Sequence, residues 1–337
     1  MRALVLSEQN KLELCERAKP ELKQADDLII KVLQTGICGT DRSVLMGKFS
    51  AKPGVIMGHE TVGLVQERGL AVSKFKIGDR VVINPTLYCG KCQSCLNGSL
   101  KFCLNKAGTE IGIDRDGAFA EFIRLSELFC HHIPDEMSLD RAVMIEPLAC
   151  VLNNLESGEL SAGETLIIIG GGPIGILCAM AGSFYGTKVI LVEKDPYRLS
   201  LCQNIMAASC HTYQACQPSD CPLKSGDVVV DSVGNMLEQS VEYVSNGGRV
   251  VIMGYNNKSI ASIKPLELVQ RGLKIIGAGD YNSQIFPRAI EIAKSLPLEK
   301  IISHYFPMTR FEDAFSALSP SNTSNYSALK VIIRPTE

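Results

Sequence analysis

Thr165-Leu166-Ile167-Ile168-Ile169 has no polar face beyond its first residue, and it runs directly into Gly170-Gly171-Gly172-Pro173-Ile174-Gly175 and an apolar stretch, Ile174 to Tyr185. A strand that is apolar on both faces must be covered on both, which is the condition of a parallel sheet between two layers of helix. Lys188 to Val192, Asp227 to Val230 and Arg249 to Met253 repeat the pattern, with helical stretches between them. Strands alternating with helices predict βαβ units and a doubly wound sheet. The glycine turn fits G-x-G-x-x-G in the strand-turn-helix setting that gives the motif meaning. Gly170 makes the tight turn, Gly172 lets backbone approach a pyrophosphate, and Gly175 permits close helix-sheet packing. Pro173 and Ile174 open a helix whose free N-H groups face the phosphates. Glu193 ends the next strand, eighteen positions after Gly175, where a carboxylate grips a ribose diol and repels a 2′-phosphate. NAD is therefore expected over NADP, with Lys194 and Arg198 placed to blunt the preference. The bland alternative for Glu193 is a solvated strand end.

The first third reads differently. Short strands are expected at Met1 to Leu6, Leu28 to Leu33, Thr61 to Val65 and Arg80 to Ile83, with frequent turns and few helical periods, which predicts a β-rich domain. Within it stand Cys89, Cys92, Cys95 and Cys103, spaced C-x2-C-x2-C-x7-C with Gly90, Asn97 and Gly98 between them. Four thiolates on one short loop suit a closed tetrahedral zinc site. A disulfide knot is the alternative, but no targeting segment precedes the loop, and eight further cysteines are scattered without framework spacing. Reduced thiols in a cytoplasmic protein are expected. A second donor set is Cys38, in Gly36-Ile37-Cys38-Gly39-Thr40-Asp41, with the adjacent His59 and Glu60. One S, one N and one O ligand leave a fourth position for water or substrate, as catalytic zinc requires. Read singly, Cys38 is equally a small buried hydrophobe and Glu60 a surface charge.

At 337 residues the chain is expected to form two domains. A formal net charge of -2 with no Lys/Arg run argues against nucleic acid or an anionic membrane as partner. No stretch approaches the roughly 20 apolar residues that span a bilayer.

Taken together, Gly58-His59-Glu60-x-x-Gly63-x-Val65, Gly69, Val72, Gly78-Asp79-Arg80-Val81, the Cys38 turn, the four-cysteine lobe and the glycine turn occur in one order along essentially the whole chain. In this the sequence resembles the zinc-dependent medium-chain dehydrogenases, in their polyol (sorbitol) and threonine dehydrogenase branch. The resemblance implies a GroES-like catalytic domain, residues 1–150 completed by 290–337, around an inserted Rossmann domain, 151–289, with the active site in the cleft between them. By position, Cys38, His59, Glu60 and Glu146 would serve the catalytic zinc. Thr40 falls at the hydroxyl that bonds the reacting oxygen, and Asp41 at the carboxylate orienting the ligating imidazole. Ser43 replaces a proton-relaying histidine common in the family. His131 and His132 read as loop or surface residues. Asp231, Val233 and Gly234 fall where the family lines the cofactor cleft, or are simple strand-end turn chemistry.

The implied reaction is oxidation of a secondary alcohol with hydride transfer to NAD. Carboxylate-rich zinc ligation points to a polyhydroxylated substrate: a sugar alcohol, aldonate, cyclitol or aminocyclitol. Threonine-like amino alcohols and a zinc-free NADPH reductase of the same superfamily are the alternatives. A homodimer or homotetramer is expected by analogy, with the apolar strand Arg249 to Met253 near a sheet edge as a candidate interface.

Overall fold

The computed structural model describes residues 1–106, 109–282, 284–318 and 328–336. The chain divides into two units, one formed by Met1–Ala149, Asp280–Ser319 and Lys330–Glu337, the other chiefly by Cys150–Gly279. The return to the first unit begins at Asp280, ten residues before the position expected from the sequence, because Tyr281 and Asn282 bond to residues of that unit.

In the first unit, β1 (Arg2–Leu6) and β2 (Leu12–Glu16) form a separate antiparallel pair. β3 (Asp27–Gly36) leads into α1 (Gly39–Leu45), followed by β4 (Glu60–Arg68) and β5 (Arg80–Ile83). A single helical turn, α2 (Gln93–Leu96), lies in the four-cysteine lobe; β6 (Phe122–Ser126), β7 (Cys130–His132) and α3 (Leu139–Ala142) follow, and α4 (Ile145–Ser157) begins in this unit and continues into the second. β3 is longer than the sequence pattern suggests, since it is paired along its length by β4 and β6. His131 and His132 lie in β7 rather than a loop, opposite Val82 and Val81 of β5. Three residues are too few to show an alternation in sequence. His131 stacks on Phe286 at 4.9 Å, and burial, aided by Lys74 and His132, holds it down to about 4, so it is a neutral packing residue.

The second unit is a six-stranded parallel sheet, β8 (Thr165–Ile169), β9 (Lys188–Val192), β10 (Tyr213–Cys216), β11 (Gly226–Asp231), β12 (Val244–Ile252) and β13 (Lys274–Gly277), in the order β10-β9-β8-β11-β12-β13. Its helices are α5 (Pro173–Phe184), α6 (Pro196–Ala207), α7 (Leu237–Tyr243) and α8 (Pro265–Arg271). The order reverses between β8 and β11, the switch point of a doubly wound sheet, where ligands bind beyond the strands' carboxyl ends. β12, expected near an edge, lies next to the edge strand β13. Among the described residues no helix is long and apolar enough to cross a membrane.

After this insertion, α9 (Ile285–Ser295), β14 (Ile302–Pro307), α10 (Phe311–Ala317) and β15 (Lys330–Arg334) complete the first unit. Its main sheet runs β14-β15-β3-β4-β5-β7, with β6 also on β3. Leu28, Ile30, Val32, Val65, Val81, Ile83 and Phe129 form its core. At one end of β3 the register sets Gly36 opposite both Glu60 and Ile332. A Cβ on Gly36 would collide with Glu60 Oε2 and come within 2.9 Å of Lys330 Cε. Gly36→Ala is accordingly expected to cost about 1–3 kcal/mol, the usual scale of overpacking. Gly39, whose added Cβ would meet nothing within 4 Å, is the control. Thermal melting should show a clear loss for Gly36→Ala and none for Gly39→Ala; equal effects would contradict the crowding described at Gly36.

Candidate metal centres and dinucleotide turn

β3 and α1 place the thiol. Ile37 N-H donates to Val331 O at 3.0 Å. Cys38 then caps α1, its own N-H donating to Asp41 Oδ2 at 2.8 Å. β4 places the other two donors, because His59 immediately precedes it and Glu60 is its first residue. Ligand atoms of Cys38, His59 and Glu60 all lie within 4.8 Å of one another. Asp41 Oδ1 stands 3.7 Å from His59 Nδ1, beyond hydrogen-bond distance. Both atoms are buried without a hydrogen-bond partner.

Two further residues complete the cluster. Glu146, 7% exposed at the start of α4, accepts a hydrogen bond from Tyr281 Oη at 2.6 Å. Lys330, 3% exposed, pairs through Nζ with Glu60 Oε2 and donates to Ile37 O at 3.1 Å. Cys38, Asp41, Glu60 and Glu146 thus face a single ammonium and one imidazole. Burial and the neighbouring Glu60 hold the Glu146 carboxyl up at about 7. Burial raises Asp41 as well. Burial opposes a charge on His59, but Cys38 and Asp41 outweigh it and lift the imidazole well above its usual range. Each shift retains a proton; were all four acids ionised, their negative charge would exceed that of the two cationic partners. A divalent cation would meet that excess, and a mixed S, N and O donor set suits zinc. Thr40 and Ser43 are half-buried on α1 beside these donors in sequence.

The four-cysteine lobe gathers its sulphurs closely. Cys92 Sγ is 3.4 Å from Cys95 Sγ and 3.9 Å from Cys103 Sγ. A tetrahedron with metal-sulphur bonds of about 2.3 Å has edges of about 3.8 Å. These separations therefore fit a shared ion and exclude a disulfide. Backbone N-H groups of Cys89 and Leu104 point at Cys103 and Cys92 sulphurs, each at 3.4 Å. N-H donation from Lys91, with Cys92 and Asn105, draws the Cys89 thiol down to about 6, which favours the ligating thiolate. All thirteen cysteines are unbridged.

In the second unit the glycines separate by role. Gly170 adopts φ +103°, and a Cβ on Gly175 would collide with its carbonyl, so the third glycine is a packing requirement. Gly172 caps α5, whose first residues are Pro173 and Ile174, and an added Cβ there would meet nothing within 4 Å. That open approach is what a phosphate needs. Glu193, 5% exposed, is held from both sides, accepting from Gly171 N-H at 2.7 Å and Asp195 N-H at 2.8 Å. The Arg198 guanidinium lies 3.7 Å from its Oε2. Asp231 accepts from the N-H groups of Val233, Gly234 and Met236, and so serves the strand-end turn.

Sequence reasoning missed Lys330 and Tyr281. For Lys330 a signal existed: a lysine inside Ala328-Leu329-Lys330-Val331-Ile332-Ile333 must find an acidic partner once that strand is buried. Nothing local marks Tyr281.

With this fold and these donor sets in view, the comparisons with known proteins are consistent. Residues 24–135 match the Alcohol dehydrogenase GroES-like domain, and residues 173–295 match the Zinc-binding dehydrogenase family. The chain belongs to the zinc-dependent medium-chain dehydrogenases, in their polyol dehydrogenase branch. It is 30% identical over 332 residues to a protein of Arthroderma otae named D-xylulose reductase A, covering 93% of this chain and 92% of that one. It is 30% identical over 330 residues to D-arabitol-phosphate dehydrogenase of Enterococcus avium, covering 88% of each. A zinc-binding dehydrogenase structure from Sinorhizobium meliloti, bound to NADP, superposes with a TM-score of 0.88 at 29% identity over 99% of both chains.

The raised Glu146 carboxyl has a measurable sign. The native state keeps a proton that the unfolded chain, with an ordinary value of 4.5, releases earlier. The stability this contributes is full below about pH 4.5 and is lost as pH rises towards 7. Metal-stripped protein unfolded with urea at pH 5 and pH 8 should lose more stability on going to the higher pH than its Glu146→Gln variant does. Identical pH dependences would contradict the placement of Glu146.

Proposed function

We propose that this chain oxidises a secondary alcohol of a polyol, reversibly, with NAD as hydride acceptor and two zinc ions per chain. The observation that carries the reading is the S, N and O donor set of Cys38, His59 and Glu60 with a second buried carboxylate, Glu146, beside it. The named activities of the two curated relatives support the polyol class, and sugar alcohols, aldonates and cyclitols are the substrates it includes. A zinc-free reductase would have no use for either donor cluster.

Bound zinc would supply Lewis acidity at the alcohol oxygen and the nicotinamide an acceptor for hydride. The residues do the rest. Cys38, His59 and one of the carboxylates would hold that ion, and Cys89, Cys92, Cys95 and Cys103 would hold the other. Asp41 faces His59 from its Nδ1 side at 3.7 Å, an ion-pair contact rather than a hydrogen bond. Lys330 balances the Glu60 carboxylate. Thr40 accepts the hydroxyl proton and Ser43 hands it outward through water. In the second unit, Gly170, Gly172, Pro173, Ile174 and Gly175 form the pyrophosphate turn, and Glu193 with Arg198 meets the adenosine ribose. Glu193 disfavours a 2′-phosphate; its attachment to the Gly171 and Asp195 N-H groups fixes that charge in place.

Reduction of NAD by purified protein across sugar alcohols, aldonates, cyclitols, threonine and simple alcohols tests the reading. Turnover of a polyol class, abolished by chelation and restored by zinc, is the expected result; turnover indifferent to chelation would overturn it. Glu193→Gln keeps an acceptor for the Gly171 N-H but removes the charge. It should shift the NADP-to-NAD ratio of kcat/KM by about tenfold or more, a change of about 1.4 kcal/mol. An unchanged ratio would remove Glu193 from cofactor choice.

A further inference from the structure

We propose that the four-cysteine lobe is a positioning device for the catalytic metal centre, acting through Tyr281 on Glu146. The inference goes beyond the function proposed above and rests on its placement of Glu146 at that centre.

The segment Asp280-Tyr281-Asn282 is tied to the lobe on both sides of the tyrosine. The Lys106 ammonium pairs with Asp280, and Lys106 is itself steadied by Glu110 at 2.7 Å. On the other side Lys101 N-H donates to Asn282 Oδ1 at 2.9 Å. Lys101 and Lys106 bracket Cys103, the last of the four sulphur donors, by two and three residues. Closing the lobe around an ion therefore fixes the backbone that carries both attachments. Between them Tyr281, 5% exposed, sets its ring against Phe286 at 5.6 Å and sends its hydroxyl to Glu146 Oε1 at 2.6 Å. The phenol takes one carboxylate oxygen and leaves the other for the metal or its water. A ligand held this way is confined to a single oxygen and a single direction. A purely structural lobe would need no such connection, and Tyr281 is a positioning residue, remote from the four sulphurs in sequence.

The test uses the full-length protein with cobalt(II) exchanged into the catalytic centre and zinc kept in the four-cysteine lobe. Wild type, Tyr281→Phe, Lys106→Met, Asn282→Ala and the Lys106→Met/Tyr281→Phe pair are compared by the visible cobalt spectrum, by catalytic-metal affinity, and by kcat and KM separately. Tyr281→Phe should weaken metal affinity or kcat by about 10–100-fold, as loss of a ligand-orienting partner does. Lys106→Met and Asn282→Ala should shift the cobalt bands in the same direction and lower kcat with little change in KM. Lys106→Met should add nothing in the Tyr281→Phe background. The exchanged pair Lys106→Asp/Asp280→Lys should recover the wild-type spectrum. Lobe variants that lower the melting temperature while leaving the spectrum and kcat unchanged would overturn the inference alone, as would additive effects in the double variant. A wild-type protein that binds no second metal would overturn the site reading and the inference together.

Discussion

Lys330 Nζ, Glu60 Oε2 and the Ile37 carbonyl meet beside Gly36, where the ends of β3, β4 and β15 converge. An unpaired ammonium or carboxylate buried there would be strongly destabilising, so the pair fixes how the three strands end relative to one another. That register in turn decides where the donors stand. Cys38 follows β3 by two residues, His59 and Glu60 open β4, and Gly36 is the only residue type that leaves space between them. The pair does not neutralise the site. Asp41, Cys38 and Glu146 remain, and their surroundings answer by retaining protons on Asp41, His59 and Glu146. Protons and a divalent cation would compete for the same buried negative charge, which would couple folding, metal binding and pH in one cluster.

The second unit solves a different problem, that of presenting bare backbone to an anion. Gly175 must be glycine because the helix lies against Gly170, whereas Gly172 must be open on its outer side. Glu193 joins the two requirements: the carboxylate proposed to set ribose preference is also the acceptor that holds the Gly171 N-H. Removing its charge and removing its hydrogen bonds are separable changes, which is why glutamine and alanine at this position test different things.

Much of this was legible in the chain because it is local. A strand, a glycine turn and a helix within twenty residues leave few alternatives, and four cysteines within fifteen residues leave fewer. Cys38, His59 and Glu60 could be collected as donors, but their residue types alone left each with an ordinary structural explanation. The structure brings them together by pairing β3 with β4. Lys330 and Tyr281 lie 270 and 135 residues from their partners, and no period or spacing reports contacts of that range. His131 escaped for the opposite reason, since a three-residue strand is too short to carry a pattern, whereas His132 is a surface residue as expected. Asp231 shows how a strand-end carboxylate in a nucleotide unit can be wholly engaged by its own turn.

The central claim is that the buried acid cluster of the first unit is a metal centre distinct from the four-cysteine lobe. Anomalous diffraction at the zinc absorption edge, from crystals of the purified protein, addresses it directly. Two peaks per chain are predicted, one among Cys89, Cys92, Cys95 and Cys103 and one among Cys38, His59 and a carboxylate of Glu60 or Glu146. A peak in the lobe alone, from fully zinc-loaded protein, would contradict the account.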